Sequence, residues 1–250
     1  MLLDSHCHPE DRAELERARS AGVSGLVAIA ALDFARAHQD MDGLRVWTTL
    51  GIHPHEASSA SEAAWEAMRR DAADPLVVAI GEIGLDYHYD HSPRLVQLEA
   101  FERQLALAAE CALPVSIHCR DAWADCFDRL ARYPAVRGVF HCFTGSQAEA
   151  DRALALGWHL SFSGMITFPK LAPLLAVAAA APAERILIET DSPYLAPVPY
   201  RGHRNEPARV REVAAALAHA RGLSPADLAS LTSANFFALF QRASAFPPRS

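Results

Sequence analysis

The sequence predicts an α/β chain of the (β/α)8 TIM-barrel type with one extra helix at its C-terminal end. Two observations carry that reading. Short apolar runs alternate with helix-period stretches eight times along the chain, a rhythm that calls for parallel strands covered by helices. The length, 250 residues, suits one such barrel and is too short for two large domains. Eight repeats, rather than five or six, favour closure over an open doubly wound sheet. The expectation is therefore a single barrel domain over residues 1–250.

The strands are read from the apolar runs at Leu2–Asp4, Gly25–Ala30, Val46–Leu50, Val77–Ile80, Val115–Ile117, Gly138–Phe140, His159–Phe162 and Ile186–Ile188. Each is short, and most are rich in Val, Ile, Leu or Phe, as a strand buried on both faces requires. Helical periodicity fills the gaps at Arg12–Ser20, a shorter segment after Leu32, Ala60–Ala72, Pro93–Ala112, Ala122–Arg132, Gln147–Leu156 and Leu171–Ala181. Glu206–Arg221 supplies the eighth barrel helix. Ser224-Pro225 then has the form of an N-cap followed by proline, opening the extra helix Ala226–Arg242. The tail Ala243–Ser250, with Pro247-Pro248, is expected to fray.

Composition narrows the function classes. Half of the chain is apolar, enough for a sizeable core, yet no run of about 18 apolar residues appears, so no membrane span is expected. The start MLLDSHCHPE lacks a basic segment followed by a long apolar one and does not read as a secretory signal, which points to the cytoplasm. The net charge is −7, which argues against a broad basic surface for nucleic acid; attraction of a polyanion would have to be local, and bound divalent cations could supply it. The five cysteines form no CxxC pair, as fits reduced thiols. Cys7, Cys119 and Cys142 each follow a histidine, but alternation along a strand turns them to the opposite face, so they read as small buried residues.

Six metal-capable side chains stand where strands end: His6 and His8 after the first, Glu82 after the fourth, His118 after the fifth, His141 after the sixth and Asp191 after the eighth. Inward groups at the C-terminal ends of barrel strands converge on one point, and imidazole with carboxylate suits divalent metals. An HxH pair alone is weak evidence, and so is any one of the six. Six coincidences of residue type with strand end are not. Lys170 is the sole lysine and sits in the proline-flanked TFPKLAP, so a bridge between two metals would have to be a glutamate. His53, ending the third strand in GIHPHE, is placed to touch a substrate oxyanion, and His55 to support it. Arg120 and Arg204 are candidate phosphate clamps; the bland alternative for Arg204 is an ion pair, for example with Glu206. Tyr87, Phe143 and Tyr194 lie in rim loops where a base could stack, or where aromatic rings simply plug space.

With these residues placed, the chain resembles the TatD family of metal-dependent deoxyribonucleases, within the wider amidohydrolase-like barrel superfamily. The resemblance rests on DSHCH, GIHPH, GEIGLDYH, IHCRDA, HCFTGS, ETDSPYL, RGHRNEP and NFFALF, in that order along nearly the whole chain. It implies that His6, His8 and Asp191 hold one metal, that Glu82 bridges, and that His118 and His141 complete a second site. The segment SGMITFPKLAPL carries the least of the resemblance and is where the substrate cleft could differ.

The resemblance further implies DNA as substrate, as single strands or ends, with two divalent ions, Mg²⁺ or Mn²⁺, at work; ligand chemistry alone would also accept Zn²⁺. Asp191 then reads as the general base, Glu82 as the residue that fixes the ion spacing, and His53 with Arg204 or Arg120 as the neutralisers of phosphate oxygens. The alternative on the same site is an ester or amide hydrolase, such as a D-aminoacyl-tRNA deacylase. A non-catalytic metal-binding barrel is the remaining reading, disfavoured by the presence of both Glu82 and Asp191. No membrane and no obligate protein partner is expected.

Overall fold

The computed structural model describes residues 1–39, 41–245, 247 and 248. Eight parallel strands follow one another around the sheet in chain order: β1 (Leu2–Cys7), β2 (Val23–Ala28), β3 (Arg45–Leu50), β4 (Val77–Asp86), β5 (Val115–Arg120), β6 (Gly138–Phe140), β7 (His159–Phe162) and β8 (Ile186–Ile188). Between them run α1 (Arg12–Ser20), α2 (Leu32–His38), α3 (Glu62–Asp71), α4 (Arg94–Cys111), α5 (Trp123–Ala131), α6 (Gln147–Ala155) and α7 (Ala172–Ala180). After β8 come α8 (Val210–Arg221) and α9 (Pro225–Leu239). This is the TIM-barrel architecture that the alternation predicts.

The seam between β8 and β1 is closed near the C-terminal ends of the strands. Asp191 N donates to His6 O at 3.0 Å and His8 N to Ser192 O at 2.8 Å. Ser5 Oγ donates to Ile188 O at 3.0 Å, and Asp4, fully buried, accepts from Thr190 N at 2.9 Å and Thr190 Oγ1 at 2.6 Å. Burial pushes the Asp4 carboxyl up to about 8, against the lowering pull of the Thr190 bonds.

Two apolar layers hold the barrel. Outside the sheet, Leu26, Val46, Ile80, Val115, Ile117 and Phe140 meet the inner faces of the helices. Inside it, Leu3, Val27, Trp47, Ala79, Val139 and Leu187 pack with Phe236, Leu239 and Phe240 of α9. Trp47 and Phe236 stand 5.2 Å apart, centroid to centroid. The extra helix therefore plugs one end of the barrel, and the opposite end is left for chemistry. Past α9, Gln241–Ala245 form a 3-10 turn, and Ala243 is fully buried against the α9 cluster. Positions 246, 249 and 250 of that tail lie outside the described residues.

Strand limits differ from the sequence reading at three places that matter. β1 runs on through His6 to Cys7, β5 through His118 to Arg120, and β4 through Glu82 to Asp86. Glu82 thus lies within a strand rather than after it. A register irregularity between Ile80 and Ile83 marks the spot. The glycines make that path feasible: a Cβ on Gly51 would stand 2.5 Å from the Gly81 carbonyl carbon, so β3 and β4 meet backbone to backbone beside Glu82.

Candidate metal centre

All six predicted side chains come together at the end of the barrel away from α9, and one carboxylate organises them. Oε1 of Glu82 lies 2.8 Å from His141 Nε2, 2.9 Å from His118 Nδ1 and 3.2 Å from His53 Nε2. Oε2 of the same residue faces the other way, 3.4 Å from His6 Nε2 and 3.9 Å from His8 Nε2. Asp191 Oδ1 completes that second side at 3.8 Å from His6 Nε2 and 4.0 Å from His8 Nε2. Asp191 reaches this position through a left-handed backbone, φ +53°, a conformation that aspartate tolerates better than most residues.

The donor set fits divalent cations. His6 is fully buried and neither of its ring nitrogens has a hydrogen-bond partner, which is costly unless something else engages them. His6, His8 and Asp191 each offer one atom within 4.8 Å of the others, as do His53, Glu82 and His118, and His6, Glu82 and His141. Ligand bonds of about 2.0–2.2 Å place neighbouring donors at roughly these separations around one ion.

Carboxylates behind the histidines fix which nitrogen faces inward. Asp86 Oδ2 accepts from His118 Nε2 at 2.9 Å and from His55 Nε2 at 3.0 Å, leaving His118 Nδ1 toward Glu82. Glu189 Oε1 lies 3.3 Å from His141 Nδ1, leaving Nε2 toward Glu82. Metal-binding histidines are characteristically held this way. His53 Nδ1 accepts from His55 N at 3.2 Å, which puts the proton of a neutral ring on Nε2. Asp86 and Glu189 are missing from the sequence reading. A signal existed for Asp86, since positions 82, 84 and 86 share one face of a strand; for Glu189 it was only adjacency to Thr190-Asp191.

The electrostatics follow from crowding these groups out of water. Burial alone would raise the Glu82 carboxyl, but His141, His118 and His53 hold it well below its usual range. His141 is raised well above an ordinary imidazole by Glu82 and Glu189, which outweigh its burial. His118 is raised too, its burial outweighed by the bonds to Asp86 and Glu82. Burial lowers His8 to about 4, helped by His6. Burial raises Asp191 to about 6 against the opposing charges of His141 and His6.

The remaining predicted residues take varied positions. His53 faces Glu82 from within the cage, a quarter exposed. Arg204 Nη2 lies 2.7 Å from Glu10 Oε1 and its Nε 3.7 Å from Glu14 Oε1, so two acids already offset its charge. Glu206, the partner anticipated for it, binds Arg17 at 2.6 Å instead. Arg120 lies over the Tyr89 ring, 5.0 Å from its centroid. Of the three aromatic candidates, Phe143 is buried and Tyr87 is tied by its hydroxyl to Asp125 at 2.6 Å under Arg94; only Tyr194 stands open. Cys7 packs in the layer beneath the helices and donates to Val27 O, and Cys119 packs against the same layer. Cys142 instead meets Ser163 Oγ at 3.2 Å beside the rim.

Barrel and cage together define a metal-dependent hydrolase. The family model for TatD related DNase matches residues 3–241, and the chain belongs to that family. YabD of Bacillus subtilis (strain 168), named a metal-dependent hydrolase, is 37% identical over 254 residues, covering 96% of this chain and 99% of its own length. The 3′-5′ ssDNA/RNA exonuclease TatD of Erwinia amylovora is 39% identical over 260 residues, covering 95% and 96%. Among solved structures, YjjV, a TatD homologue from Escherichia coli K12, superposes with a TM-score of 0.88 at 30% identity, covering 96% of this chain and 98% of that one.

Proposed function

We propose that this protein is a two-metal phosphodiesterase that trims single-stranded DNA or RNA from the 3′ end, working in the cytoplasm. The observation that carries the reading is the division of labour within Glu82: one oxygen faces His118, His141 and His53, the other faces His6 and His8, so a single carboxylate addresses two adjoining donor sets. Support for the substrate comes from the Erwinia amylovora relative, whose name specifies a 3′-5′ ssDNA/RNA exonuclease and which aligns over nearly its whole length. The free state of all five cysteines supports the compartment.

His6, His8 and Asp191 would hold one ion and His118 with His141 the other, with Glu82 between them. Divalent ions, Mg²⁺ or Mn²⁺ in this reading with Zn²⁺ also compatible, supply Lewis acidity to a phosphoryl oxygen and lower the pKa of water. The chain's own residues do the rest. Asp191, beside His6 and His8 at the edge of the cage, is the carboxylate placed to accept the proton of the attacking water. His53, with its proton on Nε2, can donate to a non-bridging oxygen of the phosphate. As water attacks phosphorus, the P–O bond to the leaving sugar oxygen breaks, and the proton taken up by Asp191 passes to that oxygen, so that the products are a phosphomonoester and a free hydroxyl. Arg204, already offset by Glu10 and Glu14, is better suited to holding the loop than to clamping phosphate.

The test uses chelated protein supplied with Mg²⁺, Mn²⁺ or Zn²⁺ in turn. The substrates are single-stranded oligonucleotides labelled at either end, alongside aminoacyl esters. Wild type should shorten single strands from the 3′ end, and Glu82→Ala should abolish both this turnover and the rise in thermal midpoint on adding metal. Hydrolysis of aminoacyl esters with none of oligonucleotides would replace this reading with the deacylase one.

A further inference from the structure

Beside the cage, on the rim of β4 and β5, stands an aromatic ring with no evident structural reason to be exposed. Tyr89 is 53% exposed, one of few large apolar side chains so open among the described residues. It is nevertheless held firmly. Its backbone N donates to Asp86 Oδ1 at 2.8 Å, the same carboxylate whose other oxygen binds His118 and His55. His55 meets the ring edge-on at 5.6 Å, and His91 lies parallel to it at 5.7 Å. The ring is therefore indexed to a cage residue through one buried acid, yet more than half of its surface faces water.

Arg120 adds charge to this ring. Its guanidinium lies 5.0 Å from the Tyr89 centroid, and among the described residues it has no carboxylate partner. The neighbouring Asp121 would be an obvious one, but its carboxylate goes to His88 Nδ1 at 3.1 Å. Most other arginines at this end of the barrel are offset: Arg94 by Asp90, Arg204 by Glu10, Arg17 by Glu206. In a chain of net charge −7, a cation left uncompensated next to an exposed ring at the active end stands out.

We infer that Tyr89 and Arg120 form a nucleotide subsite on the His118 side of the cage. A base stacks on the open surface of the Tyr89 ring, and Arg120 turns from the ring to an adjoining phosphate. Both groups tolerate any base, because every base has a π face and every nucleotide a phosphate. The subsite therefore favours single strands, whose bases are free to splay, over paired ones. It rests on the phosphodiesterase reading above and specifies how that site would hold its substrate.

The experiment is a substrate–protein cycle. Single-stranded oligonucleotides, intact or carrying abasic sugars through the last few 3′ positions, are cleaved by wild type, Tyr89→Phe, Tyr89→Ala and Arg120→Ala. Tyr89→Ala should raise KM on intact DNA by roughly tenfold or more with kcat little changed, while Tyr89→Phe, which keeps the ring, stays near wild type. Abasic substrates should cost wild type a similar factor, and Tyr89→Ala should add little to it. Arg120→Ala should raise KM on both substrates and flatten its salt dependence. Wild type that cleaves DNA while Tyr89→Ala shows an unchanged KM overturns the subsite alone. Additive losses for the variant and the abasic substrate do the same, because a merely structural role predicts them. Wild type that neither cleaves nor binds single strands removes the phosphodiesterase reading and the subsite with it.

Discussion

Asp86 and His118 are joined at 2.9 Å through Oδ2 and Nε2, and that bond decides which nitrogen of His118 looks into the cage. The acid itself is fully buried, and its backbone N donates to Gln97 Oε1 at 2.8 Å. Its Oδ1 also accepts from His88 N at 3.0 Å and Tyr89 N at 2.8 Å. One side chain thus orients a cage histidine, steadies His55 and caps the loop that carries Tyr89. It is kept ionised well below the usual carboxylate range: burial opposes that, but the bonds from His118, Tyr89 and His55 prevail.

Asp86→Ala should therefore weaken metal binding without removing any candidate ligand. The expected loss is about 10–100-fold in affinity, the usual cost when a carboxylate behind a ligating histidine is lost. Competition with a chromophoric chelator measures it directly. Asp86→Asn keeps an acceptor and should lose less. If Asp86→Ala binds metal as tightly as wild type, His118 is oriented by something else.

Gly84 tests the register that brings Glu82 and His118 together. It pairs with His118 across β4 and β5, has φ +136°, and a Cβ placed on it would overlap the His118 carbonyl oxygen. Gly84→Ala faces both a forbidden backbone region and a collision with backbone that cannot swing aside. A loss of more than about 2 kcal/mol in urea unfolding is expected, with hydrolytic activity falling alongside. Gly22→Ala is the comparison: it also has positive φ, +87°, but open space around its would-be Cβ, so about 1 kcal/mol should suffice. Equal costs at the two positions would mean that the contact with His118 is unimportant.

These two residues also show where the sequence was readable and where it was not. The ends of β6, β7 and β8 were plain because compact apolar runs stop at polar residues. The length of β4 was hidden, because GEIGLD carries two glycines and two acids, which strand interiors normally exclude. They are admitted here because imidazoles compensate the buried acids and neighbouring backbones need the room the glycines leave. Asp86 is hidden in the sequence for the same reason. The role of α9 was equally invisible: apolar periodicity announces a helix that must be buried, but not that Phe236 docks under Trp47. Long side chains were the least legible of all. Arg204 could reach many acids, and nothing in the linear order of residues favours Glu10 over Glu206.

The pH dependence of folding offers a test far from the cage. His159, at the start of β7, is only 6% exposed, and its Nδ1 has no hydrogen-bond partner. Burial lowers its pKa to about 4, with Arg185 adding to the effect. The unfolded chain takes up this proton near 6.5 and the folded chain only near 4, so between those values the unfolded state binds more protons. Stability from this residue is complete above about 6.5 and declines as pH falls toward 4. Between pH 7.5 and pH 5 the loss should be about 2 kcal/mol. His159→Gln keeps a polar side chain but cannot titrate. Urea unfolding of both proteins at the two pH values, each in chelator, gives a double difference in which the cage histidines cancel. Wild type should lose about 2 kcal/mol more than the variant on acidification. An equal loss in both would mean that His159 takes up its proton in the folded state as easily as in water, and that burial at the foot of β7 does not exclude charge.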